Sequence, residues 1–266
     1  MRFYEYFIGD YMMHRLLNNQ FLFSELVKRD FKKKYKRTVL GMLWSILSPL
    51  FMLAVMAVIF TQFFGNNTEH YIIYLFSGQI IFNYFMESTS EGMNSLVANA
   101  SIFTKINVPK YLFLFSKNIS ALINFGLILV VYFFFVYLNG IAFSWKFILL
   151  IYPVICLITI NLGMGLILSA LFIFFRDIEY IYRLFMQVVM YGSAIFYNIS
   201  GLPEHIQKFF YLNPIFTCIA YFRTVVIKNN VPDLYLHCLL AFYAITLLLI
   251  GCYIYKKYNY RFLYYV

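Results

Sequence analysis

Charge is scarce in this sequence. Asp, Glu, Lys and Arg make up 12% of its 266 residues, about half the share usual in a soluble domain, and none occurs between Thr38 and Thr68. With 63% of the residues hydrophobic and a mean hydropathy of +0.75, the balance excludes an ordinary soluble fold and leaves room for about six membrane spans and little else. The phosphate-cradling G-x-x-x-x-G-K-[ST] loop is missing, so this chain does not hold ATP in a P-loop. No charge-free run carries an ionisable residue near a plausible bilayer midplane, where a proton- or sodium-coupled carrier needs one. Cys156, Cys218, Cys238 and Cys252 sit in apolar stretches without metal-ligand spacing. Cys238 and Cys252 lie on one run about 21 Å apart at helical rise, beyond disulfide reach, and all four read as packing residues. The four histidines are scattered. The first turns of the chain show no apolar stretch ending in a small-residue cleavage site, so no signal peptide is expected.

The charge-free runs mark the expected spans. Thr38–Thr68 is the first, and Tyr71–Met86, extendable through Ser88-Thr-Ser90, is the second. Asn118–Trp145, Phe147–Phe175, Leu184–Pro203 and Leu234–Tyr255 are the third to sixth. Phe209–Phe222 is uncharged but broken by Asn213-Pro214; it is too short to cross and is expected to be re-entrant or interfacial. The fold class that follows is an all-α membrane protein with a single transmembrane domain over residues 1–266. Residues 1–37 form an N-terminal interfacial segment, 38–255 hold six spans, and 256–266 are a tail. Seventeen of the 21 Lys and Arg fall before Leu43, in the 87–117 loop, in the 176–183 connection and in the tail, against Lys146, Lys208, Arg223 and Lys228 on the other side. The positive-inside rule then places both termini in the cytoplasm.

The segment before the first span is amphipathic. Phe23, Val27, Phe31 and Tyr35 recur every fourth residue with Leu26 beside them, which puts them on one helical stripe. Lys28, Arg29, Lys32, Lys33 and Lys36 lie mostly opposite. Apolar rings opposite a basic face suit a helix lying on an anionic membrane. In a soluble protein the net charge of +10 would suggest nucleic acid; here the charge abuts a spanning segment, and no nucleic-acid partner is expected.

Tyr35-Lys-Arg-Thr-Val-Leu-Gly41, followed by Leu43-Trp44 and Pro49-Leu50, resembles the opening motif of polysaccharide-export ABC permeases. These form the type 2 family that moves O-antigen, capsule and teichoic-acid chains, and further matches extend to about Arg223. The resemblance implies a permease subunit of the cytoplasmic (inner) membrane that is not itself an enzyme and carries no cofactor. It implies a homodimer bound to two copies of a separate ATPase subunit, which holds ATP and Mg, and a lipid-linked glycan or teichoic-acid polymer as cargo. Asn94, Leu96, Asn99, Ile102, Phe103 and Lys105 match the family segment that forms a coupling helix against the ATPase; an apolar loop of this kind also calls for a partner on physical grounds. Arg176-Asp177 matches an Arg-Asp signature at the end of span four, where adjacent opposite charges also cap and anchor a helix end. Gly201 to Arg223, with Pro203, Asn213 and Pro214 as punctuation, matches paired re-entrant pore helices. Breaks at membrane depth persist only where protein or a wet cavity satisfies the backbone. Arg223 is expected near the external mouth, meeting cargo phosphate or snorkelling to headgroups.

Aromatic residues are abundant, with 32 Phe and 25 Tyr. Members of the family line their channels with such rings, and Phe60, Phe64, Tyr191 and Phe196 are the pore-lining candidates. Packing against lipid and interfacial belts is the plainer role for most rings. Gly163-Met-Gly165 reads as a close helix contact. Glu87 and Glu91, one turn apart, read either as a pore-facing acidic pair or as a wet helix end. Three rival functions remain: a type 2 exporter of a lipid, drug or peptide; a membrane enzyme using Glu87 and Glu91 on a lipid-linked sugar; and a scaffold without transport.

Overall fold

The computed structural model describes residues 19–35, 38–64, 70–106 and 108–265, the side chains of 34, 35, 63 and 64 excepted. Among the described residues there are ten α-helices and no strand. In chain order they are α1 (Gln20–Tyr35), α2 (Trp44–Phe64), α3 (Tyr71–Ala98), α4 (Ala100–Phe103), α5 (Tyr111–Leu138), α6 (Ile151–Phe174), α7 (Ile178–Tyr191), α8 (Glu204–Phe210), α9 (Pro214–Val226) and α10 (Leu234–Tyr258).

Among the described residues, four stretches are long and apolar enough to cross a membrane: Gly41–Gln62, Tyr111–Leu138, Trp145–Phe174 and Leu234–Tyr258. A fifth candidate is the pair α8 and α9, bent by 106° at its break. The central helix is α3. Its 28 residues give a length of about 42 Å, and most of its side chains are buried against α2, α5, α6 and α9. It is the most polar of the long helices, and its neighbours engage several of its polar groups, although Gln79 Oε1 and Ser95 Oγ are buried without a hydrogen bond. Gln79 Nε2 donates to the Pro49 carbonyl of α2 at 3.3 Å, Asn118 Nδ2 of α5 donates to Ser88 Oγ at 2.8 Å, and Tyr182 of α7 donates to Thr89 Oγ1. Buried polar groups paired in this way cost little, whereas orphaned ones are expensive in lipid.

Two spans differ from the charge-free runs. The third begins at Tyr111 rather than Asn118, because Lys117 is not a boundary: its ammonium pairs with Glu91 at 2.8 Å and with the buried Asp30 at 3.6 Å. It ends at Leu138, where Asn139 and Gly140 (φ +73°) turn the chain. The run Leu184–Pro203 is not one helix. Its helix, α7, starts at Ile178 and stops at Tyr191 after 14 residues, about 21 Å against a hydrocarbon core of about 30 Å. Beyond it the chain turns, with Ala194 in the left-handed region at φ +46°.

Helices α6 and α10 make the closest packing. A Cβ on Gly163 would stand 2.6 Å from the Leu247 carbonyl, and one on Gly251 would stand 2.5 Å from the Gly163 oxygen. Gly165 serves another neighbour, since a Cβ there would meet Leu114 of α5 at 2.7 Å. The two glycines of the Gly163-Met-Gly165 run thus admit different helices.

Candidate functional site

The basic end of the bundle is built around α1 and the α3–α5 connection. Leu26 is buried in an apolar cluster with Leu96, Phe103, Phe113 and Phe262, so α1 is docked onto protein along one line, while Phe23, Val27 and Phe31 are half-buried. Lys28 is exposed and paired with Glu25 at 2.9 Å. The Tyr35 side chain lies outside the described residues, as do Lys36 and Arg37. Arg29 reaches inward, donating from Nη2 to Asn99 Oδ1 at 2.8 Å.

Asn99 closes α3 and opens α4. Its Nδ2 donates to the Ser95 carbonyl at 2.7 Å, and its own carbonyl accepts the Ile102 N–H at 3.0 Å, which turns the chain through a tight corner. Leu96, Asn99 and Phe103 are buried in that corner, Ile102 is half-buried, and Lys105 and Ile106 are exposed. Of the residues matching the coupling segment, Leu96, Asn99 and Phe103 therefore hold its shape, while Ile102 and Lys105, with Ile106 beside them, are accessible. Lys110 braces the corner from below. Its ammonium donates to the Asn259 carbonyl at 2.6 Å and lies 5.8 and 5.7 Å from the ring centres of Phe103 and Phe262, and burial lowers its pKa.

Asn94 lies one turn before the corner, donating from Nδ2 to the Ser90 carbonyl at 3.2 Å. It lines a groove of about 280 Å³ between α3 and α7, with Met86, Met93, Tyr182, Arg183 and Met186. Arg176 and Asp177 are exposed between α6 and α7. The Asp177 side chain makes no capping bond; the Arg176 guanidinium lies 5.0 Å from the centre of the Phe172 ring. The acidic pair is engaged: Glu87 accepts from Asn124 Nδ2 at 3.0 Å and Glu91 from Lys117 Nζ at 2.8 Å.

At the opposite end, α9 delivers Arg223 into the protein. It is 7% exposed. Its Nη1 donates to the Ala194 carbonyl at 2.9 Å, and its Nη2 donates to the carbonyls of Tyr74 at 3.0 Å and Ile195 at 3.2 Å. Gly78 makes the space, because a Cβ there would stand 3.0 Å from Nη2. The hydroxyls of Tyr71 and Tyr74 each donate at 2.6 Å to the carbonyls of Phe196 and Tyr197. Arg223 is therefore an internal clasp joining α3, α9 and the 194–197 turn. The guanidinium, expected at the external mouth, is held here by protein carbonyls. Arg223 and Tyr74 also line a cavity of about 380 Å³, with Asn198, Ser200, Gln207 and Lys228 among others.

The break between α8 and α9 is capped by Asn213. Its Oδ1 accepts the Ile215 N–H at 2.9 Å, and its Nδ2 donates to Ser193 Oγ at 2.9 Å and the Gly192 carbonyl at 3.2 Å. Pro214 occupies the first helical position of α9, where its missing N–H costs nothing. Pro203 precedes α8, and its carbonyl accepts the N–H groups of Ile206 and Gln207. Three of the four chosen aromatics come together. Phe60 stacks on Phe196 with centroids 4.9 Å apart, and Tyr191 lies 6.1 Å from Phe196. The Phe64 side chain lies outside the described residues.

Sequence reasoning missed Asp30, Tyr71 and Tyr74. A lone acid inside a basic run, one helical turn after the buried Leu26, is the only local sign of the first; the tyrosines carry none.

The ABC-2 type transporter family model matches residues 22–227. The O-antigen export system permease protein RfbA of Klebsiella pneumoniae is 28% identical over 252 residues, covering 92% of this chain and 96% of that protein. The protein of the same name from Myxococcus xanthus is 24% identical over 84% of this chain and 86% of its own length. The polysialic acid transport protein KpsM of Escherichia coli is 20% identical over 87% and 91%. A family match covering most of the chain, on an all-helical bundle with several membrane-length helices, establishes that this protein belongs to the ABC-2 type transporter family.

Proposed function

We propose that this chain is the transmembrane subunit of an ATP-driven exporter that moves a lipid-linked polysaccharide across the cytoplasmic membrane. The observation that carries the reading is likeness along nearly the whole length to O-antigen export permeases. The capsule and polysialic acid proteins among the relatives support a glycan rather than a drug or peptide as cargo. ATP and Mg belong to a separate ATPase subunit, two copies of which dock on a homodimer of this chain. The corner at α4 is the docking element, with Ile102, Lys105 and Ile106 as its contact surface and Arg176-Asp177 as a second touching point. In this reading the spans are six: α2, α3, α5, α6, α7 completed by the 192–203 turn, and α10, with α8 and α9 as a re-entrant pair and both termini cytoplasmic. Exposed Tyr191 and half-buried Phe60 face the cargo path, while Phe196, expected to line it, is buried behind them.

Co-expression with a candidate partner ATPase tests the reading. Ile106→Asp places a charge in the docking surface without touching the core, and is expected to reduce ATPase recovery in a detergent pull-down by about tenfold and to abolish surface polymer. Unchanged recovery and unchanged polymer would remove the docking role.

A further inference from the structure

A buried carboxylate stands at the centre of the ion cluster at the basic end, and the proposed function does not use it. Asp30 of α1 is 6% exposed. Its Oδ1 accepts from Nε and Nη2 of Arg29 at 3.1 and 2.8 Å, and Lys117 Nζ stands 3.6 Å from the same oxygen. Its Oδ2 accepts from Ser116 Oγ at 3.1 Å. Each of its cationic partners holds a second group. Arg29 Nη2 also donates to Asn99 Oδ1, and Lys117 Nζ also donates to Glu91 Oε2. One side chain thereby gathers α1, the end of α3 at the α4 corner, and the first turns of α5.

A helix that merely rests on lipid keeps its carboxylates in water. Burying one is costly unless its oxygens are engaged by charged and hydrogen-bonding partners, and here both oxygens are. The apolar contact at Leu26 would tolerate sliding of α1 along the bundle. The polar contacts that leave α1 do not, because the bond from Ser116 to Asp30, the ion pair with Lys117 and the bond from Arg29 to Asn99 are satisfied together in only one register. The α4 corner is four residues long, and Arg29 ties its first turn to α1 through Asn99. Without Asp30, the Arg29 side chain, 41% exposed, loses the partner that fixes its plane, and α1 loses its direct polar tie to Ser116 and Lys117 of α5.

We propose that Asp30 is a positioning residue for ATP-driven transport. Acting through Arg29, Ser116 and Lys117, it makes α1 move with the α3–α4–α5 hairpin, so that displacement of the corner by the ATPase reaches the interfacial helix and the membrane surface beside it. The inference rests on the docking role given to the α4 corner. Its chemical content is separate: it concerns how much transport each hydrolysed ATP yields, not whether the ATPase binds.

The permease–ATPase complex in proteoliposomes, together with surface polymer in cells, tests it. Asp30→Asn keeps the shape and removes the charge. It is expected to leave ATPase co-purification and ATP hydrolysis within about twofold of wild type while polymer export per ATP falls about tenfold. Asp30→Glu, which keeps the charge on a longer stem, is expected to recover most of that ratio. Arg29→Gln leaves Asp30 with Ser116 and Lys117 but cuts the link to Asn99, and is expected to uncouple in the same sense. Wild-type export per ATP in both Asp30→Asn and Arg29→Gln overturns the proposal. Low abundance of both variants, with an unchanged ratio in the protein that remains, also overturns it and assigns the carboxylate to folding alone. Ile102→Asp run in parallel separates the two readings: if it leaves ATPase association intact the docking corner is misplaced, while uncoupling by Asp30→Asn would still stand.

Discussion

The guanidinium of Arg223 lies over the face of the Tyr74 ring, 3.3 Å from its centre, while donating from Nη2 to the carbonyl of the same residue. Positions 149 residues apart in the chain thus form one stacked, hydrogen-bonded unit. A buried cation whose partners among the described residues are carbonyl dipoles and an aromatic face is tolerated because these take the place of water. The 194–197 turn supplies the remaining carbonyls, so the clasp also holds the left-handed Ala194.

Arg223→Lys is therefore expected to fail. Lysine keeps the charge but presents a point ammonium instead of a planar fork, and it cannot reach the Tyr74, Ala194 and Ile195 carbonyls together. A loss of about 2–3 kcal/mol is expected, read as a lower thermal midpoint of the detergent-solubilised protein and as reduced surface polymer. A wild-type midpoint in this variant would mean that the guanidinium does not hold the outer end together.

Asn213→Ala is expected to damage the protein more than Pro214→Ala. The asparagine caps α9 and donates twice to the 192–193 turn; losing a cap costs about 1 kcal/mol, and the two orphaned acceptors add to it. Pro214→Ala restores an N–H at a position that has no intrahelical acceptor, so it should leave folding and export nearly unchanged. Thermal midpoints of the two variants measured side by side decide the order, and the reverse order would place the break under the control of the proline.

Gly163→Ala should separate α6 from α10, because the new methyl meets backbone atoms of Leu247 and Leu248 that cannot rotate away. Overpacking of this kind costs about 1–3 kcal/mol. Gly126→Ala is the control, since nothing lies within 4 Å of a Cβ there and alanine favours the helix. Equal stability of the two variants would show that the α6–α10 contact has room for a methyl group.

Orientation can be read from single cysteines at Asn230 and Ser101, both exposed, in a background lacking the four native cysteines. An impermeant maleimide is expected to label position 230 in intact cells and position 101 only after permeabilisation. The opposite pattern would invert the topology. The matching site at Asn66 lies outside the described residues.

The helical, membrane-embedded class was legible because it depends on local composition: long uncharged runs have no other stable form in lipid. The approximate places of α2, α6 and α10 followed from the same property. Where the reading slipped, a local rule met a distant partner. Lys117 looked like the edge of a span because an isolated lysine cannot enter one, but Asp30 and Glu91 neutralise it and the helix runs through. The run 184–203 looked continuous because nothing in it is charged, yet α7 stops at Tyr191, and Arg223 and Asn213, brought from further along the chain, supply the bonds that hold the following turn.

The sequence by itself determined that this chain is helical, apolar and weighted with positive charge at particular connections, because those properties are sums over neighbouring residues. The tertiary structure decided which polar groups lie inside. Asp30 and Arg223 are surface residues by type, and only the convergence of α1 with α3 and α5 at one end, and of α9 with α3 and the 194–197 turn at the other, provides enough donors and acceptors to replace water around a buried charge.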